Sequence, residues 1–217
     1  MLSVRYTQDT LIEVGIDEAG RGCLWGPLYA AAVIWPPEED WLDEHREIAP
    51  QIKDSKKLSA NKRLRLAKAI EALAIDSAIG IVTSDEIDSL GMTVANKLAF
   101  QRALNNLLVA PDRLLIDGIL PLDGDTITQV TIVDGDAKYL PIAAASILAK
   151  VARDTYVEDC VKKDPLLETN YNIGSSKGYG TAKHRKGILE YGKHPQHRNL
   201  FLRKLLGTTS ECLITDT

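Results

Sequence analysis

Twice in this chain an apolar run ends on an acid and then glycine. Leu11, Ile12, Val14 and Ile16 lead into Asp17-Glu18-Ala19-Gly20-Arg21-Gly22, and Arg113-Leu114-Leu115-Ile116 lead into Asp117-Gly118. Each reads as a strand that delivers a carboxylate where it gives way to a turn. Two such strands, adjacent and parallel, would bring their acids out at one sheet edge. Neighbouring side chains of a strand point to opposite faces, so Asp17 and Glu18 serve one site only if the chain bends there. Gly20 and Gly22 make such a bend cheap. Arg21, between two glycines, sits where backbone can approach a ligand closely. Carboxylates, bare N–H groups and a guanidinium suit a metal ion and a phosphate. The plainer alternative is a solvated turn, and the rest of the chain decides between them.

Leu28–Ile34 reads as a second strand whose small residues imply close helix packing, and the acidic stretch from Glu38 to Glu47 as a surface excursion. Ser59 is a good N-cap for a helix running to about Ala74, with Leu64, Ala67, Ile70, Leu73 and Ala74 on its apolar face. A third strand covers Ile75–Val82, and Ser84-Asp85-Glu86 caps a short helix. A longer helix spans Thr93–Leu108, Val130–Val133 forms a further strand, and an alanine-rich helix extends from Pro141 to Lys162. This order of strands and helices predicts an α/β or α+β sheet with helices on its faces.

At 217 residues the chain makes one domain, or one with a small appendage. No apolar run reaches the roughly 18 residues of a membrane helix, and no signal peptide is evident. Cys23, Cys160 and Cys212 form neither a disulfide framework nor a zinc motif, which predicts a reducing cytoplasmic setting. Net charge is −4, yet Lys177–Lys204 holds eight Lys/Arg against Glu190 alone, a local +7 that leaves −11 elsewhere. That asymmetry fits an enzyme holding metal ions in one place and phosphates in another.

Asp154 is a further candidate acid, because Ala143, Ile147, Lys150 and Asp154 follow helical spacing along one face. Its competing explanation is an i,i+4 pair with Lys150. Asp123/Asp125 and Asp134/Asp136 each bracket a glycine and read as turn chemistry. Asp17, Glu18, Asp117 and Asp154 gathered together would stay ionised only with divalent cations beside them. Oxygen ligands favour Mg²⁺ or Mn²⁺, and a two-ion site suits phosphodiester cleavage.

These residues resemble the ribonuclease HII family. The resemblance rests on Gly15-Ile16-Asp17-Glu18-Ala19-Gly20-Arg21-Gly22, Asp54-Ser55-Lys56-Lys57-Leu58, Leu115-Ile116-Asp117-Gly118, Ala143 through Asp154, Lys177-Gly178-Tyr179-Gly180-Thr181 and His194-Pro195-Gln196-His197-Arg198. It implies a ribonuclease H-like α/β fold: a mixed five-stranded sheet flanked by helices, with a small helical C-terminal extension. The catalytic domain would cover 1–165, and 166–217 would be a basic helical segment contributing substrate contacts. The implied activity is endonucleolytic cleavage of the RNA strand of RNA–DNA hybrids, and of single ribonucleotides embedded in duplex DNA. Cutting would fall 5′ to the ribonucleotide and leave 3′-hydroxyl and 5′-phosphate ends.

By position, Asp17, Glu18, Asp117 and Asp154 match the family's catalytic, metal-binding acids. Gly20-Arg21-Gly22 matches the loop whose backbone senses the 2′-hydroxyl at the RNA–DNA junction, the group that separates ribose from deoxyribose. Tyr179 matches the tyrosine that stacks on the deoxyribose beyond the junction. Lys56 is a phosphate contact, and the Lys177–Lys204 region would grip the duplex. His184 is expected on a helix surface. No obligate protein partner is evident, so a monomer is expected. Asp134 stands where a lysine is expected, and the tail from Gly207 to Thr217 shows no clamp-binding motif.

Among rivals, a nucleotide hydrolase needs a Gly-x-x-x-x-Gly-Lys-Ser/Thr loop that is missing. A non-catalytic nucleic-acid binder leaves the acids unexplained and lacks spaced aromatics. The sibling ribonuclease HIII usually lacks the arginine between these glycines and carries an added N-terminal domain, whereas here the first strand starts within a dozen residues. A different metal nuclease of the same fold is separated by Gly20-Arg21-Gly22 together with Tyr179.

Overall fold

The computed structural model describes residues 1–53, 55–124 and 127–207; Asp54, Asp125 and most of the C-terminal tail lie outside the described residues. Five strands, β1 Glu13–Ala19, β2 Leu28–Ile34, β3 Asp76–Val82, β4 Arg113–Asp117 and β5 Thr128–Ile132, form one sheet in the order β3-β2-β1-β4-β5. The first three strands run antiparallel, and β1, β4 and β5 run parallel. The sequence places all five strands within a few residues.

The helices are α1 Asp43–Ile48, α2 Ala60–Leu73, α3 Ser84–Leu90, α4 Met92–Asn105, α5 Leu140–Lys163, α6 Leu166–Tyr171, α7 Ile173–Ser176, α8 Ala182–Tyr191 and α9 Asn199–Leu206. Ser59 caps α2 by accepting from the Lys62 N–H at 3.4 Å. For α3 the cap is Thr83, one residue earlier than the sequence suggests, in a reciprocal box with Glu86.

Both faces of the sheet are buried. Ala31 and Val33 pack with α2 and α5, while Ala30 and Ala32 pack with α3 and α4. The contact of α5 with β1 is backbone on backbone: a Cβ on Gly15 would fall 2.2 Å from the Pro141 carbonyl carbon. Only glycine lets β1 and the start of α5 approach so closely. A third apolar cluster, built on Trp25, Val157, Leu167, Ile173 and Ile188, joins the C-terminal helices to α5.

Three sequence expectations are corrected. Leu64 is exposed, because α2 turns Leu66, Ala67 and Ile70 inward instead. The Glu38–Glu47 stretch is not all surface, since Trp41 and His45 are buried and His45 Nε2 meets the Leu73 carbonyl at 3.0 Å. Nor does β1 bend between its two acids. It stays paired with β2 through Ala19, so Asp17 opposes Ala31 on the α5 face and Glu18 opposes Ala30 on the α4 face.

Candidate active site

β1 and β4 run parallel in register, Ile16 beside Ile116, so Asp17 and Asp117 leave the sheet at the same edge. Asp17 is buried, and its Oδ1 accepts the Glu18 N–H at 2.6 Å. Burial pushes its carboxyl well above the usual range, and the charges of Glu18 and Asp117 push the same way. A hydrogen bond from Ser146 on α5 pulls in the opposite direction. Glu18 is also raised, first by burial and then by Asp117, against the pull of Arg21, Asn96 and Lys56. Three acids thus share one edge although β1 sends two of them to opposite faces. Asp117 is oriented by the Gly135 N–H, 2.7 Å from its Oδ1.

Asp154 is held differently. Ser146, Lys150 and Asp154 recur every four residues on α5, so Asp154 lies about 12 Å along the helix axis from the serine that touches Asp17. Its carboxylate accepts from Lys150 Nζ at 2.8 Å and faces Arg63 at 3.8 Å. The i,i+4 pair is therefore formed, and in this conformation Asp154 turns to cations. Among the described residues no three acid, imidazole or thiol groups close into a ready-made ion cage. The donor chemistry at the strand ends still fits a hard divalent cation. It is oxygen only, and a buried carboxylate beside two like charges needs a positive neighbour.

Beyond β1, Arg21 and Gly22 are exposed at the rim of the acids, with Arg21 Nη1 3.7 Å from Glu18 Oε1. The N–H groups of Arg21 and Gly22 make no hydrogen bond among the described residues. A Cβ on Gly22 would meet nothing within 4 Å among the described residues. The carbonyls of Gly20 and Arg21 instead point inward, to Arg198 Nη1 at 2.8 and 3.1 Å. The turn therefore presents donors outward.

Tyr179 is half-exposed on a loop bridged to Cys23. Its ring lies 5.8 Å from Lys150 Nζ and 6.0 Å from Arg153 Cζ. Burial raises its hydroxyl, with Cys23 and then Asp154 acting in the same direction, and Lys150 bonds Asp154 while facing the ring. Lys56 is exposed, yet near enough to Glu18 to draw its carboxyl down. Asp134 is exposed with a left-handed backbone (φ 54°), next to the glycine that holds Asp117. An aspartate tolerates that conformation.

His184 is not a surface residue. It is fully buried, with Nδ1 2.9 Å from the Tyr179 carbonyl and Nε2 2.9 Å from His197 Nε2. Arg198 is also fully buried, which removes it from any direct grip on a duplex. Two residues at the acids escaped the sequence reading: Ser146 on Asp17 and Asn96 on Glu18. Asn96 is buried in α4 among alanines, and a buried amide in an apolar helix face is the available signal.

The family model described as Ribonuclease HII matches residues 14–204. A ribonuclease HII of Trichodesmium erythraeum is 46% identical over 88% of this chain and 87% of its own length. One of Phocaeicola vulgatus is 45% identical over 94% of each chain. The crystal structure of ribonuclease H2 from Pyrococcus horikoshii superposes with a TM-score of 0.70 at 28% identity, covering 89% of this chain and 96% of that one.

Proposed function

The chain belongs to the ribonuclease HII family, nucleases of RNA–DNA hybrids, and on that premise we propose that it also cuts single ribonucleotides in duplex DNA. Cleavage falls 5′ to the ribonucleotide and leaves 3′-hydroxyl and 5′-phosphate ends. The observation that carries this reading is the shared edge: three acids at two strand ends, a turn with unbonded N–H groups at their rim, and Tyr179 facing the lysine that bonds Asp154.

Two divalent cations of the Mg²⁺ or Mn²⁺ kind, held by Asp17, Glu18, Asp117 and Asp154, would supply the activated water and stabilise the leaving oxygen. The chain's own groups position the substrate. The Arg21 and Gly22 N–H groups donate to the ribose 2′-hydroxyl, which deoxyribose lacks. Tyr179 stacks on the next sugar, and Lys56 contacts a phosphate. Lys150 and Arg63 orient the Asp154 carboxylate. Residues 166–207 act as the flank that carries Tyr179 and most of the surplus basic charge.

Asp17→Asn tests the role of the acids. Cleavage in Mg²⁺ or Mn²⁺ should fall by at least about a hundredfold, the scale of losing one electrostatic group at a reacting centre. Binding to the duplex should stay intact, as measured by anisotropy. Turnover by the variant at the wild-type rate would remove the metal-acid mechanism.

A further inference from the structure

Arg153 and Arg198 are among the largest fully buried side chains of the molecule. Among the described residues, neither guanidinium has a carboxylate at ion-pair distance. Every hydrogen bond their side chains make goes to a backbone carbonyl. Arg153 donates to Lys177 O at 2.7 Å, Trp25 O at 3.1 Å and Pro27 O at 3.3 Å. Arg198 donates to Gly26 O at 2.8 Å, Gly20 O at 2.8 Å and Arg21 O at 3.1 Å, while its Nη2 has no partner among the described residues. A buried cation without an acid is unfavourable, so what these side chains hold needs explaining. The Arg198 side chain holds the turn that follows β1, and Arg153 spans that turn and the Lys177 end of the loop carrying Tyr179.

The loops are also tied directly. The Leu24 N–H donates to Gly178 O at 2.9 Å, and Leu24 O accepts the Arg198 N–H at 2.8 Å. Space is fitted to Arg153: a Cβ on Gly20 would lie 2.0 Å from its Nε, and one on Gly178 would lie 3.1 Å from its Nη2. With the carbonyls of Gly20 and Arg21 occupied from inside, the N–H groups of Arg21 and Gly22 are left to meet a ligand.

We propose that Arg153 and Arg198 are positioning residues: Arg198 fixes the Gly20–Pro27 turn from inside, and Arg153 locks that turn to the Lys177–Gly180 loop as one ribose-reading unit. They set where the enzyme cuts without touching substrate. The proposal rests on the ribonuclease reading above for its substrate. A rigid, planar fork spreads its donors over separate nitrogens to reach three carbonyls, whereas the three donors of an ammonium radiate from one nitrogen, so lysine fails at either position.

The test compares wild type with Arg198→Lys and Arg153→Lys on a duplex holding a short run of ribonucleotides followed by DNA. The readout is the ratio of cuts at the RNA–DNA junction to cuts inside the run. Loss of guanidinium–carbonyl bonds should lower that ratio by about tenfold or more. Uniform slowing at every position, or an unchanged ratio, overturns the proposal, because a general loss of stability would act equally on all cuts.

Should wild type cut nothing, the functional reading fails by itself and amide exchange decides the lock. The bonded amides of Cys23, Leu24 and Gly26 and those of Gly178 and Tyr179 should all exchange faster in Arg153→Lys, whose guanidinium reaches both loops. Acceleration in one loop alone overturns the proposal. If the lysine variants do not fold, wild-type exchange is read directly. A shared opening rate for both loops supports the lock, and separate rates refute it.

Discussion

Gly15→Ala is the smallest change that should disturb the whole site. The added Cβ would fall 2.2 Å from the Pro141 carbonyl carbon, 2.4 Å from the Ile142 nitrogen and 2.5 Å from the Pro141 oxygen. All three are backbone atoms, so no rotamer change relieves the clash. Ordinary contact begins at 3.4 Å, so β1 and the first turn of α5 must separate by about 1 Å. Overpacking of this kind costs about 1–3 kcal/mol, and a backbone-only clash belongs at the upper end. For a chain of this size about 3 kcal/mol lowers the melting temperature by roughly 6–12 °C. The shift also moves Ser146, on α5, away from Asp17, on β1. A displacement of about 1 Å at a reacting centre can cost about a hundredfold in rate. Thermal melting and hybrid cleavage, measured side by side, check both effects. A melting temperature within about 1 °C of wild type, with activity retained, would refute the reasoning that this glycine sets the α5–β1 distance.

Gly22→Ala should behave oppositely: the Cβ meets no atom within 4 Å, so melting stays unchanged while cleavage falls about tenfold or more, because the methyl stands where the sugar must approach. The histidine chain predicts a pH dependence. Burial, with His184 and His194 acting the same way, pushes His197 from 6.5 down to about 3. Between those values the unfolded chain binds the proton and the folded chain does not, so stability is full above pH 6.5 and lost as pH falls. The slope is about 1.4 kcal/mol per pH unit. Raised Asp17 and Glu18 act with the opposite sign, losing stability as pH rises. The informative quantity is therefore the difference between wild type and His197→Gln in melting curves from pH 7 to 5, which should narrow as pH falls. A constant difference would contradict the neutral buried histidine.

The strands were legible because each is a short apolar run closed by acid, glycine or proline, and local pattern suffices for that. Strand direction and the pairing of β1 with β4 put Asp17 beside Asp117, as the matching strand ends suggested. What escaped were facts decided by distant partners. His184 looks like a surface residue on a basic helix until His197 reaches it. Arg198 reads as one more phosphate contact, yet it is buried beneath the Gly20–Gly26 turn. The glycines after Glu18 suggested a bend, but the ladder with β2 continues through Ala19 and keeps the two acids on opposite faces. Leu64 shows the limit of apolar spacing, since a shift of the buried stripe around α2 exposes it.

The central claim is that metal-loaded acids and a ribose-reading turn act on one phosphodiester. It is tested most directly with a labelled DNA duplex carrying one ribonucleotide, beside an all-DNA duplex, in Mg²⁺, Mn²⁺ or EDTA. A single cut 5′ to the ribonucleotide, absent in EDTA and absent from the all-DNA duplex, is the predicted result. Cutting of the all-DNA duplex, or cutting that persists in EDTA, would contradict it.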